Sequence, residues 1–202
     1  MKVILHTVVE PVRQPVTLEQ LRGHVRVDAT TDNAMLLGYL IAARSHVEHV
    51  MGRPIIPRTV RATFDCWPGT WPNSRYGMVI PAIELMLPVT SVDAVNYADA
   101  ATAVQPWTGW LARTSQGGAT RVRPATGQTW PVLGADPIIT LDATAGFPGV
   151  IPEPIVTAIL MTAAHFYANR ESVIVSDGRA IVAEVPQTTT ALVLPYRSRW
   201  IG

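Results

Sequence analysis

The chain has 202 residues, enough for one domain with a substantial core or for two small domains. Hydrophobic residues make up 48% and charged residues only 15%, which indicates a folded protein. The low proportion of charged residues suggests that partners cover part of the protein surface. The net charge of +1 excludes the basic field of a general nucleic-acid-binding protein. The single cysteine, Cys66, excludes an intramolecular disulfide and a multi-cysteine metal site.

The first sixteen residues, interrupted by Pro11 and Pro15, are predicted to be an extended arm. Their apolar run is too short for a signal peptide. No run of about eighteen apolar residues occurs anywhere in the chain, so we expect no membrane-spanning segment. These features predict a protein that is made in the cytoplasm and does not bind a membrane.

Two helices are predicted after this arm. Residues 17–20 (Thr-Leu-Glu-Gln) have the spacing of a capping box, in which Gln20 reaches back to the N-cap amide. The second helix lies within residues 32–54, with Gly52 at its C-terminal cap and Pro54 preventing continuation. Its predicted apolar stripe, at steps of three and four residues, comprises Leu36, Leu37, Leu40, Ile41, Val47 and Val50.

The hydrophobic period then changes from that of a helix to that of strands. Val60, Ala62 and Phe64 alternate with Arg61 and Thr63, which predicts a strand with one solvated face. Further strands, with a turn at residues 98–101, are predicted within residues 82–88, 91–107, 119–124 and 137–148. Five or six short strands of this kind favour an antiparallel sheet or a small sandwich.

Helical periodicity returns at Pro152, and Pro154 suits the first turn of a helix. The predicted apolar face comprises Ile155, Ala158, Ile159, Thr162 and Phe166. Residues 173–186 are predicted to be irregular, and residues 187–195 to form a last short helix.

The order of these elements predicts an α+β fold in which a helical bundle contains an inserted β region. The bundle is discontinuous and comprises residues 17–54 and 151–195. The corresponding domain limits are 1–54 for the arm and two helices, 55–150 for the β-rich insertion, and 151–202 for the C-terminal helices and tail.

No motif for a catalytic site or a cofactor is found, so the sequence favours a non-enzyme. His46 and His49 share a helix face, but His-Val-Glu-His is one residue shorter than the HExxH and HxxEH zinc motifs. A zinc site would need a third ligand, such as His24, His165 or a distant carboxylate. A metal-dependent hydrolase using His46 and His49 therefore stays as an alternative, although a polar helix edge is favoured.

Three tryptophans, Trp67, Trp71 and Trp130, each precede a proline in predicted loops. One interpretation, which we favour, is that they form local cores at the ends of the sheet. The other is that they anchor a protein interface, where tryptophan is enriched. Stacking on single-stranded nucleic acid would need interleaved basic residues, so a weak nucleic-acid-binding module is the less favoured alternative.

Several segments match, in order, the pattern of one known family. The matching N-terminal positions are Thr17, Leu18, His24, Arg26, Val27, Asp28, Ala42, Ala43, Arg44, Val47, Glu48, Gly52 and Arg53. A strand at residues 90–93, the segment 151–171, and Pro195-Tyr196-Arg197 follow. Together they resemble the head–tail connector proteins, also called adaptor or head-completion proteins, of long-tailed phages and gene transfer agents. The resemblance covers nearly the whole chain, and the combination of motifs carries it.

This resemblance implies a structural protein of a virion or phage-like particle, assembled in a bacterial cytoplasm, with no cofactor. About twelve copies would form a homo-oligomeric ring beneath the portal protein. The ring would extend the channel for double-stranded DNA and hold the next connector, a stopper or a tail protein. A net charge near zero suits such a channel, because each phosphate contact would hold the passing DNA.

Two groups of contact residues are predicted in addition to the tryptophans. The C-terminal tail is rich in the residue types of interface hot spots, and the resemblance assigns portal docking to Tyr196, Arg197, Arg199 and Trp200. The predicted subunit contacts at helix ends and edges are Arg44, Glu48, Arg170 and Glu171. The cluster of polar residues from His165 to Glu171 is interpreted as a helix terminus that packs against a neighbour, and not as an active site.

Overall fold

The computed structural model describes residues 4–11, 13–27, 32–68, 82–85, 89–114, 119–169, 173–176, 179–182 and 187–197. The chain divides into two compact units. The β unit comprises residues 1–11, 57–148 and 198–202, and the helical unit comprises residues 12–56 and 149–197. The predicted α+β class is confirmed, because helices and antiparallel sheets are both present.

The β unit contains two antiparallel sheets. Its described strands are β1 (Ile4–Thr7), β2 (Arg58–Phe64), β3 (Ile83–Leu85), β4 (Val89–Ala98), β5 (Val104–Pro106), β6 (Trp110–Thr114), β7 (Thr120–Pro124) and β8 (Ile139–Ala145). One sheet has the order β1-β2-β8-β4-β5 and the other has the order β3-β7-β6. The N-terminal arm, predicted to be extended, contains β1, which pairs with β2 as an outer strand.

Side-chain alternation along the strands builds the core between these sheets. In β2, Val60, Ala62 and Phe64 are buried while Arg61 is half-exposed, which confirms the predicted strand with one solvated face. The inner faces of the two sheets contribute to a single cluster that includes Leu141 from one sheet and Val122 from the other. Strand β6 was missed by the sequence analysis because its side chains alternate only weakly between exposed and half-buried positions.

The predicted turn after β4 is confirmed, and Asp99 organises it. The Asp99 carboxylate accepts the backbone N–H groups of Ala101 and Ala103, at 2.9 and 3.0 Å, and the side-chain amide of Gln105, at 3.0 Å. Gly134 passes so close that a Cβ there would lie 2.2 Å from the carbonyl oxygen of Asp99. Only glycine fits this approach, in which Gly134 donates its N–H to the Ala98 carbonyl at 3.1 Å.

The helical unit is built from two long helices and several shorter elements. They are α1 (Leu18–Val25), α2 (Asn33–Met51), α3 (Glu153–Ala168), β9 (Val173–Ser176), β10 (Arg179–Val182), α4 (Gln187–Val193) and a 3₁₀ turn (Leu194–Tyr196). Helix α3 packs against α2, α1 and α4, so it is central to this unit. Ile155, Ala158, Ile159 and Thr162 of the predicted apolar face are buried, while Phe166, its fifth member, is half-buried. Ala163 is buried in addition.

The helix ends form as the sequence predicts. At the start of α1, Thr17 Oγ1 accepts the N–H of Gln20 at 3.1 Å, and Gln20 Oε1 accepts the N–H of Thr17 at 2.8 Å. This reciprocal pair confirms the capping box. Helix α2 ends at Gly52, whose φ of 64° lies in the left-handed region that glycine adopts without strain.

The prediction that residues 173–186 are irregular is wrong for their described part. Strands β9 and β10 pair antiparallel, with Val173 opposite Val182 and Ser176 opposite Arg179. Both segments are rich in β-branched residues, and an Asp-Gly pair separates them in the sequence. That combination is the usual signal for a two-residue hairpin. Residues 177, 178 and 183–186 lie outside the described residues.

Candidate functional site

The outer face of the long helix α2 carries no charged residue at its exposed positions. Its exposed positions are Ala34, Leu37, Gly38, Ile41, Ala42, Ser45 and His49. None of them is Asp, Glu, Lys or Arg, and Leu37 and Ile41 are 43% and 41% exposed. The face extends about 22 Å along the helix axis. Helices at a protein surface usually place charged residues opposite the core, so this face is suited to contact with another protein.

The sequence analysis assigned Leu37 and Ile41 to the apolar stripe that packs in the core, and that assignment is wrong. Leu36 and Leu40 occupy the buried stripe instead. Adjacent residues in a helix point about 100° apart, so the pairs 36–37 and 40–41 cannot share one narrow face. These adjacent apolar pairs are the sequence signal from which a second apolar face could have been predicted.

Arg44 and Glu48 lie inside the helical unit, with exposed fractions of only 5% and 8%. Glu48 Oε1 accepts the N–H of Ile55 at 2.8 Å, and the Glu48 carbonyl accepts the N–H of Arg53 at 3.2 Å. Burial lowers the pKa of the Arg53 guanidinium. Glu48 therefore organises the chain where it leaves α2. This position corrects the predicted subunit contacts, because the helical period aligns residues 44 and 48 with the buried stripe.

The polar end of α3 is a helix terminus, as predicted. Asn169 caps it, and the Asn169 side-chain amide donates to the carbonyl of His165 at 3.0 Å. Tyr167 donates its hydroxyl to Asp32 Oδ2 at 3.1 Å and meets Tyr39 edge-to-face at 6.5 Å between ring centres. Tyr167 thus connects the end of α3 to the start of α2. The other two predicted residues of this cluster, Arg170 and Glu171, lie outside the described residues.

The predicted portal-docking tail begins in the 3₁₀ turn that follows α4. Tyr196 is half-buried there, and Arg197, which follows it, is exposed. Leu194 and Pro195 in the same turn are also exposed, and Leu194 is 55% exposed. Arg199 and Trp200 lie outside the described residues. The described part of the tail therefore presents aromatic, apolar and cationic groups together, and its docking role stays a prediction.

Three tryptophans of the β unit, Trp67, Trp107 and Trp130, form a local core. Trp67 is 2% exposed, stacks on Trp130 with 4.6 Å between ring centres, and donates its indole N–H to the Pro131 carbonyl at 2.8 Å. Trp107 joins the cluster from the side. This burial corrects the predicted loop contact for Trp67. Trp130 is half-buried and keeps a surface, and Trp71 lies outside the described residues.

The described residues offer no metal centre around the paired histidines of α2. His46 is half-buried and His49 is exposed. Within the described ranges, no group of three or more His, Cys, Asp or Glu side chains is placed to hold a metal ion. In the same part of the chain, no helix is both long enough and apolar enough to cross a membrane.

No protein-family model matches the chain, and no curated protein matches it. Three solved chains of similar structure belong to gene transfer agent (GTA) particles. Each is 24% identical and covers 98% of this chain and 97% of its own length. They are from the neck of an empty particle computed with C6 symmetry (TM-score 0.74), the virion of a native particle (0.73), and the neck of a native particle computed with C12 symmetry (0.72). The chain therefore has the fold of these GTA chains, which confirms at the level of the fold the resemblance found in the sequence.

Proposed function

We propose that this protein is a structural connector subunit in the neck of a phage-like particle. The observation that carries the proposal is the full-length match in fold to chains from the neck and virion of gene transfer agents. A match over 98% of this chain includes both the helical unit and the β unit. Within the described residues no metal cluster accompanies the fold, and a structural role requires none.

In this proposal identical copies associate into a ring of about twelve subunits. The related neck structures were computed with C6 and C12 symmetry, so chains of this fold have copies of themselves as neighbours around an axis. The outer face of α2 supports the same association, because Leu37 and Ile41 would lose their exposed apolar surface to a second copy. The small exposed residues that follow them, Gly38 and Ala42, allow another backbone to approach closely.

The ring would lie beneath the portal protein, extend the channel for double-stranded DNA, and hold the next connector, stopper or tail protein. The net charge of +1 fits a component beside moving DNA, since there is no excess of cations to hold phosphates. The C-terminal tail from Pro195 onward would dock on the portal. Its described residues, Tyr196 and Arg197, are of the types that dominate interface hot spots.

Electron microscopy of the purified protein, alone and mixed with the portal protein of its own particle, tests ring formation. Wild-type protein should form rings of about twelve subunits. Ile41→Glu should prevent them, because each contact would bury an unpaired carboxylate. Val150→Glu is the matched control, since Val150 is 94% exposed in the same unit and lies outside α2.

Rings that persist in Ile41→Glu would exclude the α2 face as the contact. Wild-type protein that stays monomeric with its portal would contradict the connector function itself. A chain ending at Leu194 tests the tail separately. It should fold, as circular dichroism would show, and should fail to bind the portal in a pull-down. Unchanged portal binding by the shortened chain would contradict the docking role.

A further inference from the structure

The outer face of the three-stranded sheet carries a cluster of arginines. In β7, Thr120 and Val122 are buried, so the alternation places Arg121 and Arg123 on the opposite, exposed face. Strand β6 pairs with β7 so that Arg113 lies directly opposite Arg121. On this face three guanidinium groups therefore occupy neighbouring positions, about 5 to 7 Å apart at their Cβ atoms.

Only one of these arginines has an acidic partner within the described residues. Arg121 forms an ion pair with Glu84, which lies opposite it on β3. Neither Arg113 nor Arg123 forms an ion pair with any residue that the structure describes. Like charges directly opposite one another in a sheet are destabilising, so the pair Arg113–Arg121 works against folding of the isolated sheet.

The five-stranded sheet of the same unit provides a contrast. There Arg61 lies directly opposite Asp142, and its Nε and Nη2 donate to the two carboxylate oxygens at 2.6 and 2.7 Å. The exposed charge on that face is thus compensated within the sheet. On the three-stranded sheet, two cations stay without an acidic partner in the described part of the chain.

We infer that the outer face of the β3-β7-β6 sheet, defined by Glu84, Leu111, Arg113, Arg121 and Arg123, binds an acidic segment of another protein. Carboxylates of that segment would pair with Arg113 and Arg123, since guanidinium groups bind carboxylates in a bidentate manner. The partner would be extended, because side chains at alternate positions of a strand repeat about every 7 Å, which is close to the spacing of diagonal neighbours such as Arg113 and Arg123.

One feature of the face favours an acidic protein over nucleic acid. Leu111 lies directly opposite Arg123 and is 39% exposed, and an apolar side chain gains nothing from a phosphate backbone. An acidic peptide with apolar residues can contact Leu111 and the arginines together. The inference depends on the β unit alone and does not require the neck function.

Nuclear magnetic resonance titration of the whole chain tests this inference. The probe is a peptide of about ten residues with glutamate at alternate positions and valine between them. A second peptide with glutamine for glutamate, and a DNA duplex of about 20 base pairs, are titrated in parallel. The glutamate peptide should shift the backbone amides of Leu111, Arg113 and Arg123, and about tenfold more salt should weaken its binding.

The double variant Arg113→Ala/Arg123→Ala should bind the glutamate peptide about tenfold more weakly, the effect of losing two exposed ion pairs. Arg13→Ala/Arg26→Gly removes the same charge from exposed positions of the helical unit, with glycine suited to the left-handed φ of residue 26, and should leave binding unchanged. The Arg113/Arg123 variant should unfold at the same or a higher temperature, since it relieves repulsion. Any of three results would overturn the inference. The two variants would bind the glutamate peptide equally well, the wild type would bind the glutamine peptide as tightly as the glutamate peptide, or the duplex would bind more tightly than the glutamate peptide through the same arginines.

Discussion

Helix α2 of the helical unit and the sheets of the β unit distribute their charges in opposite ways. In the helical unit, Arg44 and Glu48 of α2 are buried, while the exposed face of the same helix is uncharged. In the β unit, the hydrophobic cluster between the sheets is apolar, and charged residues such as Arg61 and Arg121 lie on the outer faces. A low proportion of charged residues in a sequence therefore does not indicate which surface of the folded protein is uncharged.

Secondary structure accounts for this difference. Successive side chains of a strand point to opposite faces of the sheet. A sequence that alternates apolar and polar residues therefore places all of its charged side chains on the outer face. Helix α2 has apolar residues around most of its circumference, and only part of that surface fits against α1, α3 and α4. Its two charged residues happen to share the buried stripe. Glu48 is accommodated there because its carboxylate accepts a backbone N–H from the segment that follows the helix.

The largest effect is expected from the aromatic core of the β unit. Trp67→Ala should lower the free energy of unfolding by about 3–5 kcal/mol, because it removes a buried ring that stacks on Trp130. Urea unfolding followed by circular dichroism measures this. Trp130→Ala, at a half-buried position, should cost distinctly less. Equal losses of unfolding free energy in the two variants would show that Trp67 contributes no more to the core than Trp130.

Glu48→Ala should lower the free energy of unfolding by about 1.5–3 kcal/mol, since the buried N–H of Ile55 would lose a charged acceptor. The exposed Glu19 in the first turn of α1 is the matched control, and Glu19→Ala should cost at most about 1 kcal/mol. Urea unfolding measures both changes. Similar losses of unfolding free energy in the two variants would show that the buried carboxylate stabilises the helical unit no more than the exposed one.

A double-mutant cycle on Arg61 and Asp142 should give a coupling energy of about 0.5–1 kcal/mol, because the pair is bidentate but partly exposed. Hydrogen bonding and attraction to Asp142 raise the pKa of Arg61. Because the pKa of Arg61 is raised, the ion pair stabilises the folded protein at every pH below the ordinary arginine pKa. This stabilisation is lost only as the pH rises through the pKa that Arg61 has in the folded state. The coupling should therefore be constant across neutral pH and decrease with salt. A coupling near zero would show that the five-stranded sheet does not compensate its charges.

The smallest effect is a pH dependence at the β4–β5 turn. The hydrogen bond from Gln105, followed by those from the backbone N–H groups of Ala103 and Ala101, lowers the pKa of Asp99. The resulting stabilisation is present above the unfolded pKa and is lost as pH falls through the lower folded value. Asp99→Asn should therefore melt below the wild type at neutral pH and close to it in strong acid. For Asp136→Asn, at an exposed position, the difference in melting temperature from the wild type should not change in this way between neutral pH and strong acid. The same change with pH there would contradict the role assigned to Asp99.

Local signals predicted most of the secondary structure. The capping box at Thr17, the left-handed cap at Gly52 and the alternation in β2 each depend on a few neighbouring residues, so the sequence was enough. The hairpin of β9 and β10 was missed although its Asp-Gly signal is local. Strand β1 was predicted only as an extended arm, because its partner strand lies about fifty residues away in the chain.

The candidate surfaces were harder to predict than the elements. Ile41 was assigned to the core, and Glu48 to a subunit contact, because periodicity gives the spacing of a helix's faces and not which of them is covered. Trp67 gave no local indication of its burial, which depends on a loop some sixty residues later in the chain. The arginine face was missed because Arg113 and Arg121 become neighbours only through the pairing of β6 with β7.

The sequence by itself therefore determined the α+β class, the helix caps, the alternation of the main strands and the resemblance to connector proteins. These depend on the composition and order of short segments, whose preferences act over a few residues. The tertiary structure decided which side of α2 is buried, which tryptophans are core, and where the arginines of β6 and β7 come together. Each of those depends on packing or strand register between distant segments, and the free energy of burial is settled only when those segments meet.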